Sequence, residues 1–296
     1  MSRERHTAQD ISYANSAESM PGQTVVKLLE NATGRLTLIK RARGYQDEVA
    51  RGRDFWQVIV ERYGLSLNIV GGSIDQIPKT GPIILIANHP YGILDGLMLG
   101  HILSLVREDF RILAHTVFQK SDELKQCILP VSFEETKQAM RDNLTTRKQA
   151  LDFLADDGAI GIFPGGTVST GRTLFARPID PSWRTFTARM IAKSNAKVVP
   201  IFFDGHNGRI FQMASHLHQT LRLGLLMQEF RKRIDSPVRL VIGDPIPQQQ
   251  LQARSKDASA LMDYLRKATY DLSPVPFDDY DYGYGYEFED RHKKQT

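Results

Sequence analysis

At 296 residues, 41% of them hydrophobic, the chain can bury one large core, and its composition excludes a fibrous or wholly disordered protein. A single cysteine, Cys127, excludes an intramolecular disulfide framework and a cysteine-rich zinc site, and it points to a reducing compartment. The net charge of +4 is uneven: seven acidic and three basic residues from Asp271 onward leave +8 on residues 1–270, a basic body suited to an anionic lipid surface, an acidic carrier protein or nucleic acid.

Residues 1–22 are polar and without periodicity, which predicts a flexible arm. Arg3, Glu4, Arg5 and Asp10 interrupt any apolar core over residues 1–30, so no secretory signal is expected. Residues 45–64, "YQDEVARGRDFWQVIVERYG", set Val49, Phe55, Trp56, Val58, Ile59 and Val60 among charges, as one apolar face of a helix that stops at Gly64. That face either packs on its own domain or, with its tryptophan and arginines, rests on a bilayer.

Six short apolar runs follow, closed by Gly, Pro, Asn or Asp: residues 65–72, 82–88, 111–115, 159–166, 197–205 and 238–246. Helix-length segments lie between several of them, including "GLMLGHILSLV", "TTRKQALDFLADDG" and "PSWRTFTARMIAKSN". The order predicts an α/β domain over residues 23–270, with a mixed, mostly parallel sheet flanked by helices on both faces and an N-terminal helical region. The most apolar stretch, residues 81–106, is broken by Asn88, His89, Pro90 and Asp95, and does not read as a membrane span. Residues 271–296, acidic and rich in tyrosine, read as a disordered tail.

In such sheets functional groups gather on the loops after the carboxyl ends of strands. Three loops carry suitable chemistry: "NHPYGILDG", "FPGGTVSTGR" and "DGHNGRIF". In the first, Asp95 stands near the start of a helix and reads equally as a helix-terminal carboxylate or as the group that orients His89 as a base. In the second, paired glycines let backbone N–H groups face an oxyanion or phosphate without a Cβ in the way.

"NHPYGILDG", "FPGGTVS" and "VVPIFFDG" stand in the order and spacing of the first, third and fourth motifs of the lysophospholipid and glycerol-phosphate acyltransferase superfamily. The likeness is to its bacterial hemolysin-like branch, and it covers roughly residues 55–270, with "REDFRILAH" and "DPSW" among the linking segments that resemble it. The resemblance implies transfer of a fatty acyl group from an acyl carrier protein or coenzyme A thioester to the hydroxyl of a lysolipid-like acceptor, on the cytoplasmic face of an anionic membrane. His89 would be the general base and Asp95 its orienter. Substrate or oxyanion binding would fall to Asn88, Gly92, Pro164, Gly165, Gly166, Thr167, Ser169 and Arg172. No metal, no further cofactor and no nucleic-acid partner is implied.

Two departures matter. The usual H-x-x-x-x-D becomes His89 and Asp95 with five residues between, an extra residue to be absorbed at Gly92. The usual F-P-E-G-T-R-S has Gly165 for the glutamate and Val168 for the arginine, so a bidentate grip on a glycerol-phosphate head group is not expected. The rival activities are a lipid hydrolase or thioesterase and a non-catalytic lipid-surface protein. A serine hydrolase would want G-x-S-x-G, which the chain lacks.

Overall fold

A computed structural model describes residues 19–116, 118, 122–132 and 136–277, together with Ser12 and Ala14. The rest of the predicted arm, and the predicted tail beyond Phe277, lie outside the described residues. The chain is already helical within the segment read as an arm: α1 (Met20–Glu30) opens with Pro21 in its first turn and Ser19 as its cap. A π turn at Asn31–Arg35 leads into α2 (Leu36–Ala42).

The single helix expected over residues 45–64 is two, α3 (Tyr45–Ala50) and α4 (Phe55–Arg62). Gly52 takes φ +90°, which a continuous helix cannot pass, and the Asp54 carboxylate restarts the helix by accepting the Gln57 N–H. Its apolar face packs inward, against the bilayer alternative: Trp56 is buried, with its ring 5.9 Å from that of Phe110. A Cβ at Gly100 would come within 2.2 Å of the Trp56 ring. Gly100→Ala is therefore expected to destabilise by about 1–3 kcal/mol through overpacking. Urea unfolding checks this, and an unshifted midpoint would mean the ring retreats freely.

The remaining elements are β1 (Ser66–Gly71), β2 (Ile83–Ala87), α5 (Ile93–Val106), β3 (Phe110–His115), α6 (Asp122–Lys125), β4 (Ile128–Val131), α7 (Lys137–Ala155), β5 (Ala159–Ile162), α8 (Phe186–Lys193), β6 (Lys197–Phe203), α9 (Arg209–Leu217), α10 (Gln219–Arg231), β7 (Pro237–Ile242), α11 (Gln248–Arg254) and α12 (Ala258–Tyr270). All six apolar runs are strands. The seventh, β4, was not anticipated: it is four residues long and carries Pro130, which an edge strand tolerates because its outer N–H has no ladder partner.

The sheet order is β1-β7-β6-β2-β5-β3-β4. β6, β2, β5, β3 and β4 run parallel, while β7 pairs antiparallel with β6 and carries β1 beside it, giving the mixed, mostly parallel sheet expected. β2 shows why the sheet is covered on both sides. Ile83, Leu85 and Ala87 join a core layer with α4, α5 and α10, whereas Ile84 and Ile86 join an opposite layer with α7, α8 and α12. The stripe Leu97, Met98, Leu99 and Ile102 of α5 is core packing. Among the described residues no helix is long and apolar enough to cross a membrane.

β2 is flanked by β5 and β6 in register, with Ile86 abreast of both Ile162 and Pro200. The loops leaving these three parallel neighbours therefore emerge side by side at one end of the sheet. They are the three loops singled out by their chemistry.

Candidate active site

His89 is placed by its own backbone. Asn88 before it is buried and clamps the end of β2 to β6: its Nδ2 donates to the Phe203 carbonyl at 3.0 Å, and its Oδ1 accepts the Phe203 N–H at 2.7 Å. Asn88 thus holds the strand end, with its amide engaged on both sides. The His89 N–H donates to Asp180 Oδ1 at 3.1 Å, and its carbonyl accepts the Ser169 N–H at 2.8 Å. The ring lies against Phe163, centroids 4.3 Å apart, and the side chain is 19% exposed.

Both readings of Asp95 hold at once. It sits in the first turn of α5, wholly buried, and its Oδ2 accepts the N–H groups of Tyr91 at 2.7 Å and Gly92 at 2.9 Å. The same oxygen lies 3.1 Å from His89 Nδ1. His89 Nδ1 and Asp95 Oδ1 are both buried without a completed hydrogen bond. Burial pushes the Asp95 carboxyl above its ordinary range, opposed by His89 and by the two N–H groups. Gly92 is the residue expected to absorb the extra position between His89 and Asp95. Gly92 takes φ +88°, and a Cβ there would come within 3.1 Å of Leu226 and 3.2 Å of Val168.

The "FPGGTVSTGR" loop is anchored from several sides. Gly166 turns left-handed at φ +68°, and its N–H closes onto the Phe163 carbonyl at 3.1 Å, so it is not presented to a ligand. Gly165 keeps its N–H without a partner among the described residues, and a Cβ there would press on Asp180 at 3.2 Å. The Pro164 carbonyl accepts the Arg184 N–H at 3.0 Å. Thr167 accepts from Arg222, and Ser169 is buried with its hydroxyl 2.5 Å from Asp180. Arg172 is exposed and lines a groove with Met213 and Leu217 of α9. Thus His89, Asp95 and Gly165 keep polar atoms without a completed hydrogen bond among the described residues, while the groups of Asn88, Gly166, Thr167 and Ser169 are engaged within the protein.

Two buried charged residues escaped the sequence reading. Asp180, in "DPSW", accepts from the His89 N–H and the Ser169 hydroxyl through Oδ1 and from Trp183 Nε1 through Oδ2 at 3.0 Å. Its own N–H donates to the Tyr270 hydroxyl and its carbonyl accepts from Arg266, so one residue joins the first and third loops to α12. Arg222 of α10 donates to Thr170 Oγ1 at 2.6 Å, to Thr167 Oγ1 at 3.0 Å and to the Val168 carbonyl. A cation therefore arrives at the backbone of the position where the motif arginine is missing, from a different element. Tyr91 ties in the fourth-motif loop: its hydroxyl donates to the Asp204 carbonyl at 3.3 Å, and burial pushes its pKa up to about 12. Cys127 is half-buried, and burial raises its thiol, which leaves it a poor nucleophile.

The chain matches a family described as Acyltransferase over residues 42–275. It is 26% identical over 229 residues to a lyso-glycine lipid O-acyltransferase of Phocaeicola vulgatus, covering 75% of this chain and 78% of that one. A lyso-glycine lipid O-acyltransferase of Bacteroides thetaiotaomicron is 25% identical over 236 residues, covering 75% and 80%. Among solved structures, the 1-acyl-sn-glycerophosphate acyltransferase PlsC of Thermotoga maritima aligns at 16% identity and a TM-score of 0.45, over 76% of this chain and 86% of that one. A family match spanning most of the chain establishes that it belongs to the acyltransferase family, and with the kinship to lipid O-acyltransferases it marks the chain as an O-acyltransferase.

Proposed function

We propose that the chain moves a fatty acyl group from a thioester, on acyl carrier protein or coenzyme A, to the hydroxyl of a lyso-amino-acid lipid of the lyso-glycine kind. The observation that carries this reading is the His89 Nδ1 to Asp95 Oδ2 pair, 3.1 Å apart, at the carboxyl end of the central strand of the sheet. The kinship with lyso-glycine lipid O-acyltransferases, and the valine where a phosphate-gripping arginine would stand, favour an amino-acid head group over glycerol phosphate.

His89 Nε2 removes the proton from the acceptor hydroxyl as that oxygen attacks the thioester carbonyl. A C–O bond forms, and the carbonyl oxygen becomes an oxyanion facing the Gly165 N–H. Asp95 holds the ring by Nδ1 and stabilises the imidazolium. Collapse of the intermediate breaks the C–S bond, and the imidazolium returns its proton to the departing thiolate. No acyl-enzyme is needed, because the acceptor hydroxyl attacks the thioester directly; the Ser169 hydroxyl is buried and bonded to Asp180. The basic body favours a peripheral position on an anionic membrane, which the proposal sets at the cytoplasmic face.

Incubating the purified protein with labelled acyl thioester and a panel of lysolipids tests the proposal. The expected label is in an O-acylated amino-acid lipid. Label in phosphatidic acid alone would exclude the proposed acceptor class, and label in free fatty acid alone would exclude transfer.

A further inference from the structure

An apolar face of the molecule lies outside the reacting groups. Three residues of α9, Ile210, Met213 and Leu217, follow the i, i+3, i+7 spacing of one helix face and are 60%, 50% and 72% exposed. Phe175, 82% exposed, and Leu174, 43% exposed, extend the face from the loop after the third motif. Leu174 shares a groove of about 340 Å³ with Met213 and Leu217, and the Arg209 guanidinium lies 5.6 Å from the centre of the Phe175 ring. Single exposed apolar residues are ordinary, but a contiguous group rimmed by charge marks an interaction site.

The charge pattern selects the occupant. No aspartate or glutamate stands between Asp157 and Asp180, or between Asp204 and Glu229, the two segments that build this face, whereas Arg172 and Arg209 lie on it. The face that these two segments build is apolar and cationic and carries no carboxylate of theirs, which complements an anionic bilayer. It is also close to the reacting groups along the chain. Gly171 donates to Gln212 Oε1 at 3.1 Å and accepts from His216 Nε2 at 3.0 Å, while Ser169, two residues earlier, donates its N–H to the His89 carbonyl.

We propose that α9 and the loop carrying Leu174 and Phe175 form the face by which the enzyme docks on an anionic lipid bilayer, with Phe175 and Leu217 entering the interface and Arg209 meeting lipid phosphates. The inference rests on the lysolipid-acyltransferase reading for its purpose, though not for its chemistry.

The test uses the full chain and vesicles of phosphatidylglycerol with phosphatidylcholine, compared with phosphatidylcholine alone. Wild-type protein is expected to co-sediment with the anionic vesicles more strongly. Phe175→Asp with Leu217→Asp is expected to weaken that binding by more than about tenfold. Transfer to an acceptor embedded in the vesicles should fall in step, while transfer to the same acceptor in detergent micelles stays at the wild-type rate. Should the double variant lose its circular dichroism spectrum, Arg209→Glu decides: it should weaken binding to anionic vesicles alone, and unchanged binding overturns the proposal. Wild-type protein indifferent to vesicles, or a folded double variant that binds as wild type does, also overturns it. So does a wild-type dimer that these substitutions convert to monomer with vesicle binding unchanged, which would make the face a contact between two copies of the chain. Vesicle binding that behaves as stated, with no acyl transfer in any medium, would instead sink the enzymatic reading and leave the docking face standing.

Discussion

Replacing His89 by alanine is expected to lower kcat by about 10³-fold, within the range that a positioned general base contributes. KM should change little, because the imidazole acts on the proton being transferred and does not hold the acyl chain or the head group. The fold should survive. The contacts that fix residue 89, its N–H to Asp180 and its carbonyl from Ser169, belong to the main chain and remain in an alanine variant. Asp95 keeps its bonds from Tyr91 and Gly92, so the expected loss of stability is only about 1 kcal/mol. Steady-state kinetics beside near-ultraviolet circular dichroism separate the two quantities. An effect confined to KM would place His89 in binding and not in proton transfer.

The second large effect is structural. Asp180→Ala is expected to destabilise by about 4 kcal/mol, because it takes the acceptor from three donors, the His89 N–H, the Ser169 hydroxyl and Trp183 Nε1, around a buried position. Asp180→Asn should cost less, on the order of 2 kcal/mol, since its remaining oxygen still accepts from His89 and Ser169 while its amide faces the Trp183 donor. Both variants should lose activity as the first and third loops separate. Urea unfolding of the pair gives the comparison. An alanine variant within about 1 kcal/mol of wild type would show that other contacts, such as those of Arg222, hold the loops together by themselves.

These two residues mark the boundary of what the sequence makes legible. His89 and Asp95 could be found because their chemistry is local: both lie in one short loop between an apolar run and a helix, and the spacing itself brings them together. Asp180 reaches the same loop across 91 residues, and Arg222 reaches the third loop across more than 50, so no spacing advertises either. The only trace of them is that each is a charged residue bound to become buried, which composition does not reveal. The same physics divides the fold. Runs such as "PIILIAN" are short, rich in β-branched residues and apolar up to the closing residue, which suits a strand buried on both faces, and that is what β2 becomes. "ILPV" is short and interrupted by proline, and it becomes a strand only because the edge of a sheet is already there to receive it. Gly52 sits in a segment whose apolar periodicity continues past it, and the break follows from its left-handed backbone and the Asp54 cap.

In the third loop, residue types and hydrogen bonding are best read together. Its residue types invite an anion-binding reading, yet most of its polar groups bond to the protein. Gly166 closes a turn, Ser169 binds Asp180 and Thr167 binds Arg222, which leaves the Gly165 N–H as the donor able to meet an oxyanion. Gly165 also lies close to Asp180, where an added Cβ would sit 3.2 Å from its side chain, so a glutamate there would crowd Asp180.

The most direct measurement is thiol release from an acyl thioester, followed in the presence and absence of a lyso-amino-acid lipid. Release is predicted to depend on the acceptor, with one O-acylated lipid formed for each thiol and both lost together in the His89→Ala variant. Thiol release at an undiminished rate without acceptor, with free fatty acid as the product, would contradict the account.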